Sequence, residues 1–88
     1  MEEKIILDII DSEAKYGYCA KIKKNTKMLK LIQIANLKHC LMKNQIMVPV
    51  LYGLRVEKTG VYIDPDDTAT LLDLNDMDRC IFEKKNKK

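Results

Sequence analysis

The sequence predicts a two-layer α+β domain, one sheet covered by one long helix, and three observations carry that expectation. Two β-rich segments stand at the start, Lys4 to Ile10 and Tyr16 to Lys23. One long segment without Gly or Pro follows, Lys27 to Lys43, and short β-rich stretches separated by turn residues fill the remainder. With 88 residues the chain has room for one core and not two. A hydrophobic content of 47% is enough to fill that core and too high for a disordered polymer.

Lys4 to Ile10 (KIILDII) is nearly continuous in apolar, mostly β-branched residues, which suits a strand buried on both faces mid-sheet. Asp11-Ser12-Glu13 supplies a turn. Tyr16 to Lys23 then alternates, with Tyr16, Tyr18, Ala20 and Ile22 on one side and Gly17, Cys19, Lys21 and Lys23 on the other. The two segments read as an N-terminal hairpin. Asn25-Thr26 offers capping chemistry ahead of the helix at Lys27 to Lys43. At about 100° per residue, Met28, Leu31, Ile32, Ile34, Ala35, Leu41 and Met42 share one broad arc, which should lie on the sheet. His39 falls at the edge of that arc, the place of a packed or hydrogen-bonded side chain at the core boundary.

Met47 to Val56 reads as a third strand, with Pro49 marking its entry or an edge position. Thr59-Gly60 forms a turn before a short strand, Val61-Tyr62-Ile63. Asp64 to Thr68 is turn chemistry leading to a short helical stretch at Ala69 to Leu72. Asn75 to Asp78 turns the chain into a closing strand, Arg79 to Glu83. The reading is a single domain over residues 1–83 and a basic, disordered tail over 84–88.

Several chemistries lack their residues. Cys19, Cys40 and Cys80 form no Cys-x-x-Cys pair, and the single histidine, His39, does not complete a zinc set, so no metal is expected and the thiols read as reduced and mostly buried. Neighbours on a helix do not face each other, so His39 and Cys40 are no catalytic dyad. Asp64, Asp66 and Asp67 suggest a calcium loop, but Ala69 stands where the sharp turn needs glycine and Asn75 where the loop needs glutamate. No phosphate-binding glycine loop, serine elbow or paired catalytic carboxylates occur, so the expectation is no catalysis, no catalytic residues and no cofactor. The apolar run around Ile46 to Leu54 falls short of the roughly 20 residues that cross a bilayer. Without a secretory signal, the expected location is nuclear or cytoplasmic.

Charge is segregated along the chain. Between Ala14 and Val56 stand nine basic residues and no acid, whereas Glu57 to Glu83 carries eight acids against Lys58 and Arg79. A positive face that attracts an acidic partner follows, whether peptide or polynucleotide.

The order hairpin, helix, strand, short strand, helical turn, strand fits a β-grasp domain better than a ferredoxin-like one, which needs a second full helix. The spacing of Leu54-Arg55, Gly60, Ile63, Asp66-Asp67-Thr68, Leu72, Leu74 and Asp78 resembles that of small ubiquitin-like modifiers (SUMO-like domains). The first half is similar more loosely, through Lys21-Ile22 ending the second strand and Met28 to Leu31 opening an unusually long helix. The resemblance implies a ubiquitin-like β-grasp fold, a mixed sheet of four to five strands under one helix. It also implies a groove between the second strand and the helix that accepts a hydrophobic-acidic peptide by β-augmentation. At the matching positions stand Tyr18, Ala20, Lys21, Ile22, Lys23, Lys30 and Leu31. Conjugatable modifiers end in Gly-Gly, whereas this sequence ends Lys-Asn-Lys-Lys, so a monomeric, non-conjugated binding module is expected. The alternative is a ubiquitin-like subunit of a ribonucleoprotein, using the basic face and tail on nucleic acid; the scarcity of aromatic residues leaves it without an evident stacking platform.

Overall fold

Period two is written into the burial of the first strand. In β1 (Lys4–Asp11) Ile5, Leu7, Ile9 and Asp11 are buried and Ile6, Asp8 and Ile10 are half-buried. The apolar run predicted burial on both faces, but among the described residues a layer packs on only one face of the sheet. The computed structural model describes residues 3–13, 15–43 and 52–85. β2 (Tyr16–Lys23) pairs antiparallel with β1, Ile5 opposite Ile22, Leu7 opposite Ala20 and Ile9 opposite Tyr18. The inward set is therefore the one that the alternation of Tyr16 to Lys23 predicted.

β3 (Tyr52–Val56) and β4 (Arg79–Lys84) complete the sheet, whose order is β2-β1-β4-β3. β1 and β4 run parallel, with Ile9 opposite Cys80 and Asp11 opposite Phe82; β3 and β4 are antiparallel. The expected strand from Met47 begins at Tyr52 as far as the described residues reach, and Met47 to Leu51, with Pro49, lie outside them. Lys84, expected in the tail, closes β4 opposite Tyr52; residues 86–88 lie outside the described ones.

The helix α1 (Leu29–Lys43) starts two residues later than capping by Asn25-Thr26 predicted. Its opening N–H groups find acceptors far along the chain. Met28 N donates to Asp67 O (2.7 Å) and Leu29 N to Pro65 O (3.0 Å), satisfying donors that a side-chain cap otherwise takes. Met28, Leu31 and Ala35 face the sheet and are buried with Leu7, Leu54 and Phe82. Leu41 and Met42 do not join them. They are 71% and 58% exposed, a correction to the predicted arc.

After β3 the chain doubles back, and Val61 to Ile63 makes a single antiparallel bridge, Arg55 to Tyr62, in place of the expected short strand. Gly60 has φ 75°, the left-handed conformation in which glycine avoids the Cβ clash. The expected helical stretch at Ala69 to Leu72 is a run of turns, tied by Leu72 N to Thr68 O (3.1 Å) and Leu74 N to Ala69 O (2.9 Å). Ala69 and Leu74 are fully buried there, so the segment plugs the core beside the helix start.

Candidate functional site: the open edge of β2

The hydrogen bonds around β1 decide which way β2 points its backbone. Lys24 N donates to Glu3 O (2.8 Å), so those two residues form a bonded antiparallel pair, and every second pair along the ladder repeats it. The intervening residue Ile6 spends its N–H on Asp76 Oδ1 (2.7 Å) and its carbonyl on Met77 N (2.6 Å), on the opposite side of β1. Its partner Lys21, like Cys19, therefore aims N–H and C=O away from β1, at the outer border of the sheet. At the other border β3 is partly covered, since Val56 N donates to Val61 O (2.9 Å) and Ile63 N to Leu54 O (2.8 Å). Among the described residues no strand pairs with the outer side of β2.

Beside that edge runs a groove of about 300 Å³ lined by Lys4, Lys21, Ile22, Lys23, Thr26, Lys30 and Ile34. Four of the expected residues, Lys21, Ile22, Lys23 and Lys30, meet there. Tyr18 is half-buried farther along β2, while Ala20 and Leu31 belong to the core behind the groove and do not line it. The sequence reading missed Lys4, Thr26 and Ile34. Lys4 arrives through the β1–β2 register, directly opposite Lys23. Ile34 lies one helical turn beyond Lys30, a spacing that was available in the sequence.

Electrostatically the groove is one-signed. Among the described residues no carboxylate lies within 4.0 Å of the ammonium of Lys4, Lys21, Lys23 or Lys30, whereas Lys24, Lys27, Lys58 and Arg79 are paired with Glu3, Asp66, Asp78 and Asp8. Lys4 opposite Lys23 places like charges across a strand pair, an arrangement that costs stability.

The other polar cluster is internal. His39 is fully buried; its Nδ1–H donates to Asp11 Oδ2 (2.7 Å), because a carboxylate oxygen accepts, and its ring packs tilted against the stacked Tyr52 and Phe82 rings at 4.9 and 5.2 Å. Asp11 Oδ1 also accepts from Glu13 N (3.0 Å), closing the β1–β2 turn, and Tyr52 OH donates to Glu13 Oε2 (3.0 Å). The cluster pins α1 to the hairpin, with His39 and Asp11 buried and Glu13 and Tyr52 half-buried at its outer side. His39 Nε2 and the Tyr16 and Tyr18 hydroxyls are buried with no hydrogen-bond partner among the described residues, and burial pushes the Tyr18 phenol far above its ordinary value. The thiols are not mostly buried as expected: Cys80 is buried, Cys40 half-buried and Cys19 exposed. Among the described residues no group of three or more His, Cys, Asp or Glu is placed to hold a metal, and no helix is long and apolar enough to cross a membrane.

No protein-family model matches the chain, and no curated protein sequence does. Solved structures do. The ubiquitin-like (UBL) domain of Plasmodium falciparum Dsk2 superposes with a TM-score of 0.71 at 12% identity, covering 94% of this chain and 100% of that one. A designed protein based on ubiquitin gives 0.72 at 9% identity, covering 97% and 93%. Caldiarchaeum subterraneum ubiquitin gives 0.59 at 16% identity, covering 97% and 98%. The fold is ubiquitin-like, a four-stranded mixed β-grasp sheet with one helix packed across it.

Proposed function

We propose that this chain is a non-covalent protein-binding module of the SUMO-like kind, taking a hydrophobic-acidic peptide as an added strand between β2 and α1. The observation that carries the reading is the β2 edge, unpaired among the described residues, beside four lysines with no carboxylate of the described residues within 4.0 Å, two of them directly opposed. Main-chain groups of Lys21 and Cys19 supply the ladder, Ile22 and Ile34 the apolar floor, and the lysines attract acids next to the aliphatic run. An acidic peptide also relieves the repulsion between Lys4 and Lys23, so part of the binding energy is stored in the free domain.

Amide chemical shifts of the labelled domain, titrated with a peptide of aliphatic residues flanked by acids, should move at Lys21 to Lys23, Lys30 and Ile34. Lys21→Glu/Lys30→Glu should weaken binding about tenfold or more, and added salt should weaken the wild type. Lys21→Pro should lose more affinity than Lys21→Ala, because only the proline removes the edge N–H. Unchanged affinity in the double variant sinks the assigned surface. Shifts seen only with an RNA oligomer, across the lysines and fading with salt, would instead assign the basic face to nucleic acid.

A further inference from the structure

The helix continues well past the groove, and its exposed leucines there have no partner among the described residues. Leu37 and Leu41 are 61% and 71% exposed. Around a helix axis at about 100° per residue, Leu41 falls between Lys30 and Ile34, within about 20° of each. Leu41 is therefore on the side of α1 that already walls the groove. Lys38, one turn before Leu41 and about 60° from it around the axis, places its Nζ 4.9 Å above the Tyr18 ring, so this part of α1 runs beside β2. Tyr16 and Tyr18 stack there, centroids 5.9 Å apart at 26°, half-buried on the same strand.

Resting on the β-augmentation reading, we propose that the groove is bipartite. Its second part is an apolar subsite formed by Tyr16, Tyr18 and Leu41, which takes a large aliphatic or aromatic side chain at the far end of the bound strand. Reach agrees with this. From Lys30 to Leu41 the helix advances about 17 Å, and an extended segment of about six residues covers that length. Charge agrees as well. Four lysines surround one end, whereas at the other the Lys38 ammonium is taken up over the Tyr18 ring. Acids on the partner are thus favoured at the Lys21–Lys30 end and a neutral apolar residue at the tyrosine end. The partner is an extended segment of another protein, acidic at one end and capped by a bulky apolar residue at the other.

Two fluorescent peptides test this, identical in their acids and aliphatic core and differing only in Leu or Ser at the end that reaches Tyr16; both chain directions are made. The Leu-tipped peptide should bind about tenfold tighter in one direction. Leu41→Ser should erase that difference while leaving the Ser-tipped peptide unchanged, and Lys21→Glu/Lys30→Glu should weaken both. Equal binding of the two peptides to the wild type, or equal weakening of both by Leu41→Ser, overturns the apolar subsite and leaves the groove standing. Binding of neither peptide overturns the groove reading together with the subsite.

Discussion

At the scale of single residues, similar side chains have been given opposite environments. Cys80 sits on the inner face of β4 opposite Ile9, fully buried, and burial pushes its thiol up to about 12. Cys19 lies on the outer face of the edge strand and is exposed. The thiolate is the reactive form, so alkylation near neutral pH should modify Cys19 rapidly and Cys80 only after unfolding; mass spectrometry of a timed iodoacetamide reaction reads this. Equal rates would contradict the burial of Cys80. His39 was legible as a packed or hydrogen-bonded side chain, because its place on the helix arc is local information, but it lies fully inside and not at the core boundary. Its partner was not. Asp11 read as turn chemistry, and only the sheet register carries that carboxylate inward beneath the helix.

At the scale of elements, β2 was the most legible, since strict alternation fixes which side chains face the core. The start of α1 was less so, as the acceptors for Met28 and Leu29 come from Asp67 and Pro65, far along the chain. The error at Leu41 and Met42 has a related cause: helical periodicity assigns a face but does not say where the layer beneath it ends. The groove was legible where it depended on one strand and one helical turn, and illegible at Lys4, which another strand contributes. The border of β3 and β4 also holds a testable charge cluster. Arg55 Nε and Nη2 donate to Glu83 Oε2 and Oε1 at 2.9 and 3.2 Å, and Tyr62 OH donates to Oε2 at 2.9 Å. The bond from Arg55 holds the Glu83 carboxyl below its ordinary 4.5. A lowered folded value contributes stability in full above the unfolded pKa and loses it as pH falls through the folded one. Glu83→Gln should therefore destabilise by about 1 kcal/mol at neutral pH, with the gap to wild type closing below pH 4.5 in urea melts. A gap independent of pH would show that the ion pair is not its source.

At the scale of the whole molecule, the sheet joins the beginning and the end of the described chain side by side. The ubiquitin-like order followed from the succession of segments, yet nothing local marks β1 and β4 as neighbours; that pairing is a property of the closed sheet. Asp8 lies opposite Arg79 and Asp11 opposite Phe82, both strands running the same way. Tension applied at the N-terminal end of β1 and the C-terminal end of β4 would therefore slide the two strands past each other. Their shared hydrogen bonds then carry the load together, instead of opening one after another as in a peeled hairpin. Pulled from its termini in a force ramp, the domain should yield in one high-force event, and pulled across β1 and β2 at the open end of their hairpin it should yield at lower force; equal forces in both directions would contradict the shear geometry. Among the described residues the β2 border lies outside this β1–β4 seam, so load carried between the two outer ends leaves that border unpaired and undisturbed.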